Sequence, residues 1–108
     1  MSLGFAALAL ISMPSMSEKT TTRYYSWAEL KQFPPRPARL QTREWAEEQE
    51  RGGKSHYIAD FSEDGRILTL TKRLDRKVFF RYEYLYEGGK LNAVRLIDQE
   101  GNARLIPQ

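Results

Sequence analysis

The chain has 108 residues, 41% of them hydrophobic and 29% charged, which fits one domain with a single core and excludes both global disorder and a large multi-step enzyme. It contains no cysteine, so disulfides, thiolate nucleophiles and thiolate metal sites are excluded together. Seventeen basic residues against fourteen acidic ones leave a net charge of +3, only a mild attraction for polyanions.

The opening stretch, MSLGFAALALISMPSMSEKTTT, sets an apolar run from Phe5 to Met13 ahead of a polar tail. The run is too short to span a bilayer. It also lacks the preceding positive residues and the small-x-small cleavage site of a secretory signal. Residues 1–22 therefore read as a flexible leader, with a targeting segment, a translation start at Met16 and a short docked helix as alternatives. The expected location is cytoplasmic, or exported if residues 1–15 act as a signal. Residues 23–108 read as a single domain, helical over 26–52 and β over 55–106.

In RYYSWAELKQFPPRP, Ser26 and Glu29 have the spacing of a capping box, which predicts a helix start. Trp27, Leu30 and Phe33 form its apolar stripe, and Pro34 and Pro35 end it. The PPRP run, Pro34 to Pro37 with Arg39 nearby, has the spacing read by proline-binding domains and reads more simply as a stiff connector. A second helix is predicted over TREWAEEQERGG, capped by Thr42 and stopped at Gly52 or Gly53. It carries Glu44, Glu47, Glu48 and Glu50 with Arg43 and Arg51, a solvated charged face that has the means to dock on a basic partner.

From His56 the apolar period becomes twofold. HYIADFS, RILTLTKRL, KVFFRYEYLY, LNAVRLID and ARLIP read as successive strands separated by Gly or Asp turns. A turn at Asp64-Gly65 would set Glu63 opposite Arg66, Phe61 opposite Leu68 and Ala59 opposite Leu70. A turn at Gly88-Gly89 would set Glu87 opposite Lys90, Tyr86 opposite Leu91, Tyr84 opposite Ala93 and Phe80 opposite Ile97. Joining the two hairpins on one apolar face requires an odd loop or a bulge near Leu74-Asp75-Arg76.

The stretches ADFSEDGRI and YLYEGGKL resemble the YD repeats of bacterial Rhs and teneurin proteins, in which Tyr-x-Tyr-Asp-x-x-Gly-Arg-Leu units build successive β-hairpins. Phe61, Gly65, Arg66 and Ile67 carry the first likeness, with Ser62 where the pattern has Asp. Tyr84, Tyr86, Glu87, Gly89, Lys90 and Leu91 carry the second, one residue short. The resemblance implies hairpin geometry and transfers no catalytic residue.

Lys72, Arg73, Arg76, Lys77 and Arg81 cluster in sequence among Phe79, Phe80 and Tyr82, a candidate polyanion-binding set of the kind that single-strand binders use. Alternation puts Phe80, Tyr82 and Tyr84 on one face and Arg81 with Glu83 on the other, so the rings and charges separate, except at Phe79. His56, the one histidine, cannot pair with its strand neighbour Ser55 as base and nucleophile, and alone it makes no zinc site. Asp60, Glu63 and Asp64 lack the oxygen spacing of a calcium loop and read as turn chemistry. No cofactor is expected.

The expected fold is α+β: one or two short N-terminal helices packed on a four- to five-stranded antiparallel meander. Phe61, Leu68, Leu70, Phe80, Tyr84, Leu91 and Ile97 would line its buried face under Trp27 and Leu30. The expected function is a non-enzymatic domain that binds a protein partner or a second copy of itself, including through an exposed edge at ARLIPQ where Pro107 limits extension. The alternatives are a nucleic-acid binder using the basic loop 72–81, and a small hydrolase-like enzyme using Asp60, His56 or a sheet tyrosine.

Overall fold

β-branched and aromatic residues recur in short runs on both sides of the charged segment Arg43–Arg51, and that distribution sets the architecture. The computed structural model describes residues 19–108; the apolar run at Phe5–Met13 lies outside the described residues. Strands β1 (Thr21–Glu29), β2 (Arg36–Gln41), β3 (His56–Phe61), β4 (Ile67–Leu74), β5 (Lys77–Glu87), β6 (Lys90–Ile97) and β7 (Ala103–Pro107), with helix α1 (Arg43–Arg51) between β2 and β3, are the described elements. They form one antiparallel sheet in the order β2-β1-β3-β4-β5-β6-β7.

This corrects the expectation of several helices on a four- to five-stranded meander: the sheet has seven strands and α1 is the one helix among the described residues. The segment predicted as a first helix is the inner strand β1. A capping box contributes about 1 kcal/mol, whereas TTRYYSW suits a pleated ladder and here pairs on both sides, with β2 and with β3. Part of the presumed proline connector is β2. The second helix does form where expected, with the Thr42 hydroxyl accepting from the Trp45 amide and Gly52 at the C-cap.

β1 serves two layers. It pairs with β3 only through Thr21–Tyr25. Beyond that point Tyr25 and Ala28, three residues apart, are both buried, so alternation breaks and the β1–β2 hairpin turns over the inner face of the sheet. Opposite the break, Arg39 has φ 64°. The core gathers Tyr25, Ala28, Tyr57, Ala59, Leu70, Tyr82, Tyr84 and Val94, flanked by Leu30, Phe61, Ile67, Phe80, Tyr86, Leu91 and Leu96. The expected lid is half wrong: Leu30 packs there, but Trp27 is 52% exposed.

Each hairpin from β3 to β6 contains one β-bulge. Ala59 faces Leu70 as predicted, but Phe61 faces Ile67 and Leu68 is the extra residue. Lys72 faces Phe80 and Arg73 faces Val78, leaving Phe79 extra; this is the irregularity required near Leu74. Glu87 and Tyr86 face Lys90 and Leu91 as predicted, then Leu85 faces Ala93, so Asn92 is extra and Tyr84 meets Val94 instead of Ala93. In place of Phe80, Arg81 faces Ile97. The bulges arise because Ile67 with Leu70, and Leu91 with Val94, are three apart and yet both serve the core. At the first turn the side-chain ion pair is Arg66 with Asp64, 3.2 Å, where Glu63 was expected.

Candidate functional site

β5 displays the rings. Strict alternation would put Phe79 on the outer face with Arg81, but as the bulge residue it turns to the inner face, its centroid 5.8 Å from that of Phe80. Phe80 meets Tyr82 edge-on at 5.4 Å, and Tyr82 meets Phe33 of the β1–β2 loop at 6.2 Å. In the row Phe33, Tyr82, Phe80, Phe79 the Tyr82 ring is buried, Phe80 is half-buried and the ends are open, with Phe33 46% and Phe79 38% exposed. Beside it lies a groove of about 350 Å³ whose floor is Phe79, Phe80, Tyr82 and Leu96 and whose wall is the turn Asp98–Gln99–Glu100.

Pro35, in the β1–β2 loop, is buried, and its carbonyl accepts a hydrogen bond of 2.6 Å from the Tyr84 hydroxyl. Burial pushes the Tyr84 and Tyr82 phenols up from their usual pKa. The acidic wall is held in place by backbone. The Asp98 carboxylate accepts from the amides of Asn102 at 2.9 Å and Glu100 at 3.0 Å, and these bonds, the Asn102 amide foremost, keep it below the ordinary carboxylate range. Glu100 is exposed beside it.

The five predicted cationic residues do not converge. Lys72 lies on the inner face, its Nζ 5.4 Å from the Phe79 ring and 5.6 Å from that of Tyr57. Arg73 forks onto Glu50, with Nη2 to Oε2 at 2.7 Å and Nε to Oε1 at 3.3 Å. Arg76, in the β4–β5 turn, donates to the Arg51 carbonyl at 2.6 Å. Arg81 pairs with Glu83 at 3.5 Å. Lys77 is exposed. Four of the five thus already have partners within the chain, and two of these, Arg73 and Arg76, dock the end of α1.

His56 is buried under α1, 3.7 Å from Glu50 and edge-on to Trp45 at 6.3 Å. Its Nδ1 is buried without a hydrogen-bond partner. Burial pushes the imidazole pKa down, Arg73 adds to this, and the Lys54 backbone and Glu50 oppose it. Asp60 accepts from the hydroxyls of Thr22 at 2.6 Å and Thr69 at 3.1 Å, a cross-strand ladder on the outer face. No three metal-ligating side chains come together among the described residues, and no helix there is long and apolar enough to cross a membrane. A larger depression, about 510 Å³, lies at the β2 edge. Its Arg23 already covers the Phe61 ring and its Arg43 pairs with Glu47.

Sequence reasoning missed Phe33, Leu96 and Asp98–Glu100 as members of one site. Phe33 sits 49 residues before Tyr82, and only the fold-over of the β1–β2 hairpin joins them. The signal for Phe79 was the unbroken apolar run Val78-Phe79-Phe80, which no alternating strand accommodates without a bulge. No protein-family model matches this chain, and neither a curated protein nor a solved structure shows significant similarity to it.

Proposed function

We propose that this chain is a non-enzymatic protein-interaction module that receives an extended peptide segment, apolar or proline-containing with a basic residue, in the groove along Phe79, Phe80 and Tyr82. The observation that carries the reading is the inward-turned Phe79: a bulge exposes a second ring beside Phe80 at the mouth of a groove walled by Asp98 and Glu100. Proline-rich segments dock on aromatic-lined grooves because their extended backbone is preformed and loses little freedom. The acidic wall favours a cationic side chain in the ligand and opposes a phosphate. The YD-like stretches belong to this reading as the bulged hairpins that hold the rings in place.

The test is binding to an arrayed library of extended peptides, with the best binders titrated by fluorescence anisotropy. Phe79→Ala and Phe80→Ala should each weaken binding about tenfold or more, the range of a central aromatic anchor. Glu100→Lys should weaken only the ligands that carry a basic residue. Selected peptides that bind all three variants like the parent would sink the proposal.

One observation supports a nucleic-acid reading: Lys72 stands over the exposed Phe79 ring, and a cation beside an open ring is how single strands are gripped. Retention on heparin that falls steeply with salt, and that Phe79→Ala reduces, would favour it over the peptide ligand.

A further inference from the structure

The two edges of the sheet differ. β2 is broken by Pro37, which has no amide hydrogen, and by the left-handed backbone at Arg39, φ 64°. β7 is regular, and its hydrogen-bond phase follows from its ends. The Asp98 amide donates to Asn102 and the Gln108 amide donates to Asn92. Between them Leu96 faces Arg104 and Val94 faces Ile106. In an antiparallel ladder alternate residues bond inward, so Arg104 and Ile106 spend their amides and carbonyls on β6, while Ala103, Leu105 and Pro107 turn theirs outward. The proline stands where no inward donor is required.

The same three residues also share one face. Ala103, Leu105 and Pro107 are all exposed, Leu105 at 56%, in a strand whose solvent side would ordinarily be polar. α1 packs against β1 and β3, at the other end of the sheet, and does not reach this stripe.

We propose that the chain self-associates through β7, two copies pairing antiparallel about Leu105 so that their sheets continue into one another. In that register each Leu105 amide meets the other copy's Leu105 carbonyl, and each Ala103 amide meets the other's Pro107 carbonyl. Every outward donor is used, and proline is asked only to accept. Sliding the centre to Pro107 sets two residues without amide hydrogens against each other. Sliding it to Ala103 sets Leu105 against Gly101, which lies in the β6–β7 turn at φ 90°. The side chains agree with the Leu105-centred register: the two apolar stripes merge, leucine on leucine and alanine on proline, which is why a second copy fits this edge. The partner surface is separate from the aromatic groove and independent of the peptide reading.

Sedimentation equilibrium of the full chain over a range of concentrations tests this. A reversible monomer–dimer equilibrium is expected. Leu105→Pro, which removes an outward donor and no inward one, and Leu105→Lys, which sets like charges opposite each other, should each raise the dimer Kd about tenfold or more, with the melt unchanged at concentrations below the parent Kd, where every chain is monomeric. In the parent chain, exchange of the Ala103 and Leu105 amides should slow as concentration rises. A chain that stays monomeric throughout, or a dimer equally tight in both variants, overturns the proposal.

Discussion

The hydroxyl of Tyr84, in the middle of β5, donates to the carbonyl of Pro35 at 2.6 Å, tying the folded-over β1–β2 hairpin to the sheet. Both residues are buried, Pro35 almost fully. Tyr84→Phe leaves that carbonyl without a partner, at a cost of about 1–3 kcal/mol. Urea denaturation should show a lower midpoint with an unchanged slope. Tyr86→Phe, which removes a hydrogen bond to Ile67 from a partly exposed residue, should cost less. Equal stability of Tyr84→Phe and the parent would contradict the tie.

Four tyrosines predict an alkaline limit. Burial is the leading cause that pushes up the pKa of Tyr57, Tyr82, Tyr84 and Tyr86. A folded-state pKa above the unfolded value of about 10 means the unfolded chain releases protons first. Stability is therefore fully present below about pH 10 and is lost above it. Tyrosinate absorbance should show a late cooperative phase that coincides with loss of the near-ultraviolet dichroism. Simple titration of every tyrosine near pH 10 with the fold intact would refute this.

The acid side has two steps. Burial lowers the pKa of His56, and the Arg73 hydrogen bond lowers that of Glu50. Both folded-state values are depressed, so both contributions are present above the unfolded values and fade as pH falls. The first loss begins near pH 6.5 and the second near pH 4.5. His56→Phe should abolish the first step, because it removes the group that titrates there. Fluorescence of Trp45, which packs on the imidazole, reports the transition. Glu50→Gln should cost only about 1 kcal/mol, because the pair is partly solvated. Unchanged pH dependence in His56→Phe would refute the assignment.

The β4–β5 turn carries non-glycine residues at positive φ, Asp75 at 54° and Arg76 at 63°, a conformation that costs about 1 kcal/mol or more per side chain. Arg76 offsets this by its hydrogen bond to Arg51. Arg76→Ala keeps the strain and loses the bond, so it should destabilise by about 1 kcal/mol. Arg76→Gly loses both and should be nearly neutral. Thermal melts of the pair decide it: equal loss in both variants would show that backbone strain plays no part.

Wherever the local pattern was the whole cause, the sequence was readable. Thr42 and Gly52 bound α1 because cap chemistry acts within one turn, and Glu87 faces Lys90 because Gly88-Gly89 allows the tight turn. The aromatic row was half legible: Phe80, Tyr82 and Tyr84 fell on one face by alternation, but Phe79 joins them only through a bulge set by β4. β1 was misread because its Ser26–Glu29 spacing is a local signal, whereas its pairing partner β3 begins at His56, beyond any window of periodicity. Phe33 was lost with it.

The order of the strands has a kinetic consequence. From β3 to β7 every ladder joins neighbours along the chain, so each hairpin zips across a short loop and none must await a distant segment. The ladder between β1 and β3 is the exception, matching Tyr25 with Tyr57 and closing a far longer loop at greater entropic cost. Contact order therefore predicts that the hairpins form before the β1–β3 ladder closes.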